Sequence, residues 1–332
     1  MIKVKWAARG KKKFTALDVV QVTWSGTENQ AARKLEFTIP SNPYDKAFKK
    51  TMPKIALGDR VQLYEGKKLL FAGIVTSREK TAEIGTAKYS AYDYMHYLLR
   101  STVSRIFRDT TPKKATVSLC SQVGVKTGKL QDPKKNITKV IYKEKSIYDI
   151  IIALYRKAAT KKTKYMPVMS GNKFCVVKKG TYTKVVLDQK KDITGATYHD
   201  TTDNMVNSVT IYNENYSKAG TIKNDKQIKK YGTYMQAYTK KKDEKAETAE
   251  SAAKKLLVGI TKEASVDAIG NIKCVAGKSL KIKDAATGLT GKFYITSDSH
   301  TFSNGVHMMK LELSWTNTME EGADQEKVKE DD

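Results

Sequence analysis

The run Phe293-Tyr294-Ile295-Thr296-Ser297-Asp298-Ser299-His300-Thr301-Phe302-Ser303, then Asn304-Gly305, then Val306-His307-Met308-Met309-Lys310-Leu311-Glu312-Leu313-Ser314-Trp315 decides the fold class. Asn-Gly between two alternating apolar and polar runs is a strong short-range signal for a type I′ hairpin, because both turn positions need positive φ. Pairing about that turn sets Phe302 opposite His307 and His300 opposite Met309. Tyr294, Phe302, Met309, Leu311 and Leu313 then share one face, which reads as a core face.

Strand patterns recur at the other end of the chain. Val20 to Trp24 and Leu35 to Ile39 alternate, and Val61 to Tyr64 and Leu69 to Val75 form a second pair about Glu65-Gly66-Lys67-Lys68. Short strands this close predict a small barrel or sandwich. Tyr92, Met95, His96 and Leu99 predict a helical face that closes this section near residue 100.

Residues 101–192 read differently. Thr111-Pro112 is a cap followed by proline at the first helical position, and Gly124 supplies the stop. A second helix opens at Ser146, with Asp149 as its capping-box partner and Ile147, Ile150, Ile151, Leu154 and Tyr155 on one stripe. A short hairpin about Ser170-Gly171-Asn172 follows. From 193 to 318 strands return, with one helix predicted over 243–264 from Ala249, Ala253, Leu256 and Ile260. The division is therefore a β section 1–100, an α+β section 101–192, a β section 193–318 and an acidic tail 319–332 expected to be disordered. The fold class is mainly β with an α+β insertion.

Charge is the unusual bulk property. The chain of 332 residues has 61 Lys and Arg against 35 Asp and Glu, a formal net charge of +26. The last fourteen residues carry −5, so the remainder carries +31 and its partners should be acidic. Lys240-Lys241-Lys242 is the candidate partner-binding run. Lysine interleaved with tyrosine in Lys229 to Tyr234 admits stacking on single-stranded bases, so a nucleic-acid-binding module is an alternative reading. An amphipathic strand explains the same residues.

Catalytic signals are thin. Cys120, Cys175 and Cys274 are far apart and odd in number, which argues against a disulfide framework or a zinc spacing. Asp298, His300 and His307 form the one candidate metal set, since two histidines and a carboxylate are zinc-type ligands. Their place on an apolar hairpin face reads instead as buried core. Ser251 to Lys254, Thr202-Asp203-Asn204 and Lys126-Thr127-Gly128 match β-lactamase fragments in reversed order, a coincidence of short motifs. Neither phosphate-binding glycine loops nor a nucleophile elbow occur. No enzyme and no cofactor are expected. The longest apolar run, Ile150 to Tyr155, is far short of the roughly 18 residues of a membrane span, and no secretory leader is read at the N-terminus.

Several phrases, in order, resemble the hub proteins of contractile tails of the PBSX type and of related phage-tail-like bacteriocins. They are Val22-Thr23-Trp24-Ser25-Gly26, Ala31-Ala32-Arg33-Lys34-Leu35-Glu36-Phe37, Gly58-Asp59-Arg60-Val61 and Leu70 to Val75. Ala91 to Leu99, Asn204 to Val209, Lys230-Tyr231-Gly232, Gly291 to His300 and Met309 to Leu313 continue the series. The resemblance spans about 14 to 315. It implies two tail-tube-like β-barrel domains flanking the small α+β domain. It also implies a homo-trimer whose ring joins the sixfold tail tube to the threefold central spike around a channel. The implied partners are the spike, the tube protein, other baseplate proteins and the tape-measure protein. The implied place is the baseplate of a virion or tail-like particle assembled in the bacterial cytoplasm. A tail-associated cell-wall hydrolase is the remaining alternative.

Overall fold

The computed structural model of the chain describes residues 2–28, 30–42, 44–79, 81, 84–242 and 245–325. The first section holds β1 (Ile2–Ala7), β2 (Thr15–Leu17), β3 (Gln21–Thr27), β4 (Gln30–Ser41), α1 (Lys46–Thr51), β5 (Arg60–Glu65), β6 (Lys68–Glu79), β7 (Gly85–Asp93) and α2 (Met95–Arg100). Next come β8 (Thr102–Thr110), α3 (Pro112–Gln122), β9 (Thr127–Leu130), β10 (Ile137–Ser146), α4 (Ile147–Ala158), β11 (Tyr165–Ser170), β12 (Lys173–Lys178) and β13 (Thr181–Asp188). The last section holds β14 (Ile193–Thr201), β15 (Ser208–Tyr212), β16 (Lys218–Lys223), α5 (Asp225–Tyr231), β17 (Met235–Thr239) and α6 (Ala246–Lys255). It closes with β18 (Thr261–Ile269), β19 (Lys278–Lys283), β20 (Thr290–Ser303) and β21 (Val306–Ser314).

The protein is mainly β, as its alternating segments require. Among the described residues thirteen strands form one hydrogen-bonded sheet, with the path β14-β18-β21-β20-β3-β4-β7-β6-β5-β1-β2 and β13 and β19 branching at β20. The antiparallel β3–β20 pairing joins the N-terminal and C-terminal strand sections into this sheet, with Trp24 opposite His300 and Phe302 opposite Val22.

The β20–β21 hairpin has the expected register: Phe302 opposite His307 and His300 opposite Met309. Asn304 at φ 51° and Gly305 at φ 77° give the type I′ turn. A register shift between Ile295 and Ser297 changes the far end of the face. Phe293 and Ile295 are buried there, while Tyr294, expected inside, is only half-buried. The bulge offsets the alternation by one residue, which exchanges the faces.

The helix starts follow their caps. Thr111 Oγ1 accepts from Lys114 N at 3.3 Å and opens α3. Ser146 Oγ accepts from Asp149 N at 3.0 Å and donates to the Asp149 carboxylate at 2.7 Å, opening α4. Eight of the residues of α4 are buried, so it is wrapped on all sides. Leu119 of α3 and Leu98 of α2 belong to the same core.

Three expectations are corrected. Tyr92 lies in β7 and not on the helix, which is only Met95–Arg100. The helix read over 243–264 is Ala246–Lys255, because Thr261 onward is strand β18. Only the small residues Ala249 and Ala253 of its stripe are fully buried, so the stripe was narrower than it looked. The acidic segment is ordered along α4 as far as residue 325. Met319 is buried, Tyr148 Oη donates to Glu320 at 2.7 Å, and Ala323 N donates to the Asp149 carbonyl at 3.0 Å. The remainder of that tail, 326–332, lies outside the described residues.

The chain forms two compact units, Met1–Ala196 with Ser265–Asp332, and Thr197–Ala264. These limits differ from the sequence boundaries: the α+β section 101–192 shares the first unit with strands from both flanking sections. Within the second unit β15 pairs with β16 and β17, and Ala249 and Ala253 of α6 pack on Val209 and Ile211. α5 was not expected; Asn224 caps it through Gln227 N and Gly232 ends it at φ 82°. Lys229 to Tyr231, read as a possible strand, are its last turn.

Candidate functional site

Arg33 on β4 and Asp298 on β20 are 265 residues apart in sequence and meet across β3. Arg33 Nη1 donates to Asp298 Oδ1 at 2.8 Å, and Nη2 donates to Oδ2, which makes the pair bidentate. Gly26, opposite Asp298 in the β3–β20 register, leaves the lane open; a methyl there would overlap the guanidinium. The guanidinium carbon lies 4.0 Å from the Trp24 ring centroid. Asp298 also accepts from Ala276 N at 2.6 Å, which ties the 272–277 loop to the sheet.

His300 and His307 complete the cluster. His300 Nε2 is 3.0 Å from the Cys274 carbonyl, which can only accept, so Nε2 carries the proton. Nδ1 of the neutral ring is therefore the acceptor for His307 Nε2–H, at 3.0 Å. His307 stacks on Phe302 at 4.0 Å, and Gly270 lies against the His307 ring, where a methyl would overlap it. Burial lowers the pKa of His300. Burial, then the neighbouring His300, lowers that of His307 to about 4.

The structure thus brings Asp298, His300 and His307 together, with each already engaged. Both His300 nitrogens make hydrogen bonds, and the Asp298 oxygens serve Arg33 and Ala276. Among the described residues no group of three His, Cys, Asp or Glu side chains is placed to hold a metal ion. The cluster's chemistry is that of a buried clamp on the seam between the two strand sections.

His307 sets a pH dependence. A pKa lowered on folding contributes stability that is present above the ordinary histidine value and lost as pH falls toward the folded value. His307→Phe keeps the stack on Phe302 and removes this titration. Its chemical-denaturation stability is expected to fall less than the parent's between about pH 6.5 and about pH 4. An unchanged slope contradicts the assignment. Asp93 works in the opposite sense. It is buried and accepts from Arg33 N and Met95 N, and burial raises it to about 7, so its contribution is lost as pH rises toward 7.

The other sequence candidates separate. Lys240, Lys241 and Lys242 follow β17 in the second unit; Lys240 is half-buried, the other two are exposed, and Lys242 N donates to Glu214 at 3.0 Å. Ser251 and Thr202 to Asn204 lie in the second unit, whereas Lys126 to Gly128 lie in the first. All three cysteines are buried and free, and burial pushes the thiols of Cys120 and Cys274 up to about 12. The Arg33–Asp298 pair is what sequence reasoning missed. Its signal was present in the Trp24, Gly26, Arg33 and Asp298 phrases, which carry the resemblance and converge here.

Residues 22–314 match the model of the YQBQ-like family. The chain belongs to the YQBQ-like family. Its relative in Bacillus subtilis strain 168, the phage-like element PBSX protein XkdQ, is 24% identical over 310 residues, covering 91% of this chain and 94% of that protein. The PBSX-type resemblance read from the ordered phrases is therefore met over the length of this YQBQ-like chain. Among solved structures, the 43 kDa tail protein of prophage MuSo2 from Shewanella oneidensis aligns with a TM-score of 0.72. It does so over 95% of this chain and 98% of that one at 11% identity. An E. coli protein, c3393, aligns with a TM-score of 0.53 over 98% of this chain and 79% of that one at 8% identity. It is a type VI secretion system component described as similar to the T4 tail proteins gp27 and gp5. These likenesses show the fold.

Proposed function

We propose that the chain is a structural subunit of a phage-tail baseplate hub, joining the sixfold tube to the threefold spike as a trimeric ring around a channel. Its work is assembly and not turnover. The observation that carries this reading is the nearly end-to-end match to the PBSX phage-like element protein. The Arg33–Asp298 clamp supports it physically, because a load-transmitting subunit needs its two strand sections locked together. In this reading its setting is the assembled tail particle. Electron microscopy of particles from a host lacking this gene tests it. Loss of complete tails is expected, and complete spike-bearing tails would overturn it.

The excess positive charge faces acidic neighbours in the assembly. Charge reversal at Lys240, Lys241 and Lys242 is expected to weaken association with baseplate partners at low salt and to flatten its salt dependence. Unchanged binding at every salt concentration removes that run from the interface.

A further inference from the structure

The first unit contains a cavity of about 570 Å³ between β6, β9, the β11–β12 pair and the 272–278 loop. Its size lies within the roughly 300–1,000 Å³ typical of ligand sites. Leu70, Met95, Val168, Val177, Ile272 and Val275 give it an apolar lining. Lys68, Lys129, Lys178 and Lys278 also line it, and no Asp or Glu does so among the described residues. Arg33, at the same wall, is already neutralised by Asp298. None of the four lysines has a carboxylate within ion-pair distance among the described residues. Lys68, Lys129 and Lys178 are exposed and Lys278 is half-buried, so the cations are reachable from solvent. Burial, and then Lys68, lowers the Lys278 pKa.

Geometry narrows the occupant. β11 is the end strand of the β11-β12-β9 sheet, so one of its edges is unpaired in that sheet. Residues 166–171 line the cavity without a break. Val168 pairs with Cys175 and Met166 with Val177, and all four line the cavity, so it lies over one face of this sheet. Pro167 is tolerated because the strand is an edge. An apolar floor laid along a strand and four cations without carboxylate partners together describe a site for an extended, negatively charged peptide.

We propose that this cavity is a docking site for an acidic peptide segment. The segment lies over the β11–β12 face, places its carboxylates on Lys68, Lys129, Lys178 and Lys278, and buries alternate apolar side chains between Met95 and Val275. This goes beyond the hub reading and is measured on the isolated chain, so its failure leaves the particle and mass measurements untouched.

The test is fluorescence anisotropy with a labelled hexapeptide of alternating Glu and Leu. K68E/K129E/K178E alters three exposed side chains, and its thermal melt should match the parent's. That variant is expected to bind the peptide about tenfold more weakly, or worse, as is the parent with the Gln-Leu peptide. K240E/K241E/K242E should bind within about twofold of the parent. Equal affinity for a Lys-Leu peptide, or insensitivity to the cavity variant, overturns the proposal. Saturable binding of decanoate with no binding of the peptide overturns it in favour of a small anionic amphiphile.

Discussion

Arg33→Met is expected to lower the unfolding free energy by about 3–5 kcal/mol, because it strands a buried carboxylate. Asp298 has no exposed side-chain surface, while Arg33 keeps 17% of its own. The two ends of the pair are thus unequal. Removing the arginine leaves a charge with no route to water, whereas removing the charge on Asp298 leaves a guanidinium that can still hydrate. Asp298→Asn should therefore cost less than Arg33→Met. The double variant should be more stable than Arg33→Met alone, since a neutral amide oxygen can still accept from Ala276 N. Urea denaturation of the four proteins forms the double-mutant cycle. Additive effects would mean that the two residues are not a clamp.

Lys179→Met should be about as damaging, with a pH signature of its own. Lys179 Nζ lies 2.8 Å from Glu28 Oε2, with side-chain exposures of only 6% and 11%, and it also donates to the Thr318 carbonyl. It therefore ties the β3–β4 turn to the segment that runs onto α4. Burial raises the Glu28 pKa, opposed by the hydrogen bond and charge of Lys179. Without the lysine that carboxyl is pushed higher still. A carboxyl raised on folding contributes stability below its unfolded pKa and loses it as pH rises through the folded value. The variant's deficit should thus be about 3–5 kcal/mol near pH 8 and shrink toward pH 5. Glu28→Gln in the same background should recover most of it. A deficit independent of pH would mean that lost packing of the lysine stem, and not the uncovered charge, is responsible.

How far the sequence could be read depended on the range of the interaction. Asn304-Gly305, the Thr111-Pro112 start and the Ser146 and Asp149 capping box act within a few residues, and each sits where its local chemistry puts it. The bulge after Ile295 is also local, yet it has no side-chain signature, so the face assigned to Tyr294 was one residue out. α6 was overextended because Leu256 and Ile260 continue the helical period of Ala249 and Ala253. Pairing of β18 within the sheet takes the chain from Thr261 onward instead. The ordering of Met319 to Ala323 was not legible, since it depends on a groove beside α4 that exists only after folding. Asp298 and His300 were singled out correctly as neighbours, but their partners Arg33 and Cys274 come from distant segments. Spacing along the chain carries no information about such a pairing. The lysines around the cavity lie on β6, β9, β12 and β19, which is why composition reported their charge and not their convergence.

The hub account makes its sharpest demand on stoichiometry. Light scattering of the purified chain at moderate salt, over a range of concentrations, measures it directly. With a chain mass of 37.2 kDa, the account predicts a species of three times that mass. A mass of one chain at every concentration would contradict the trimeric ring.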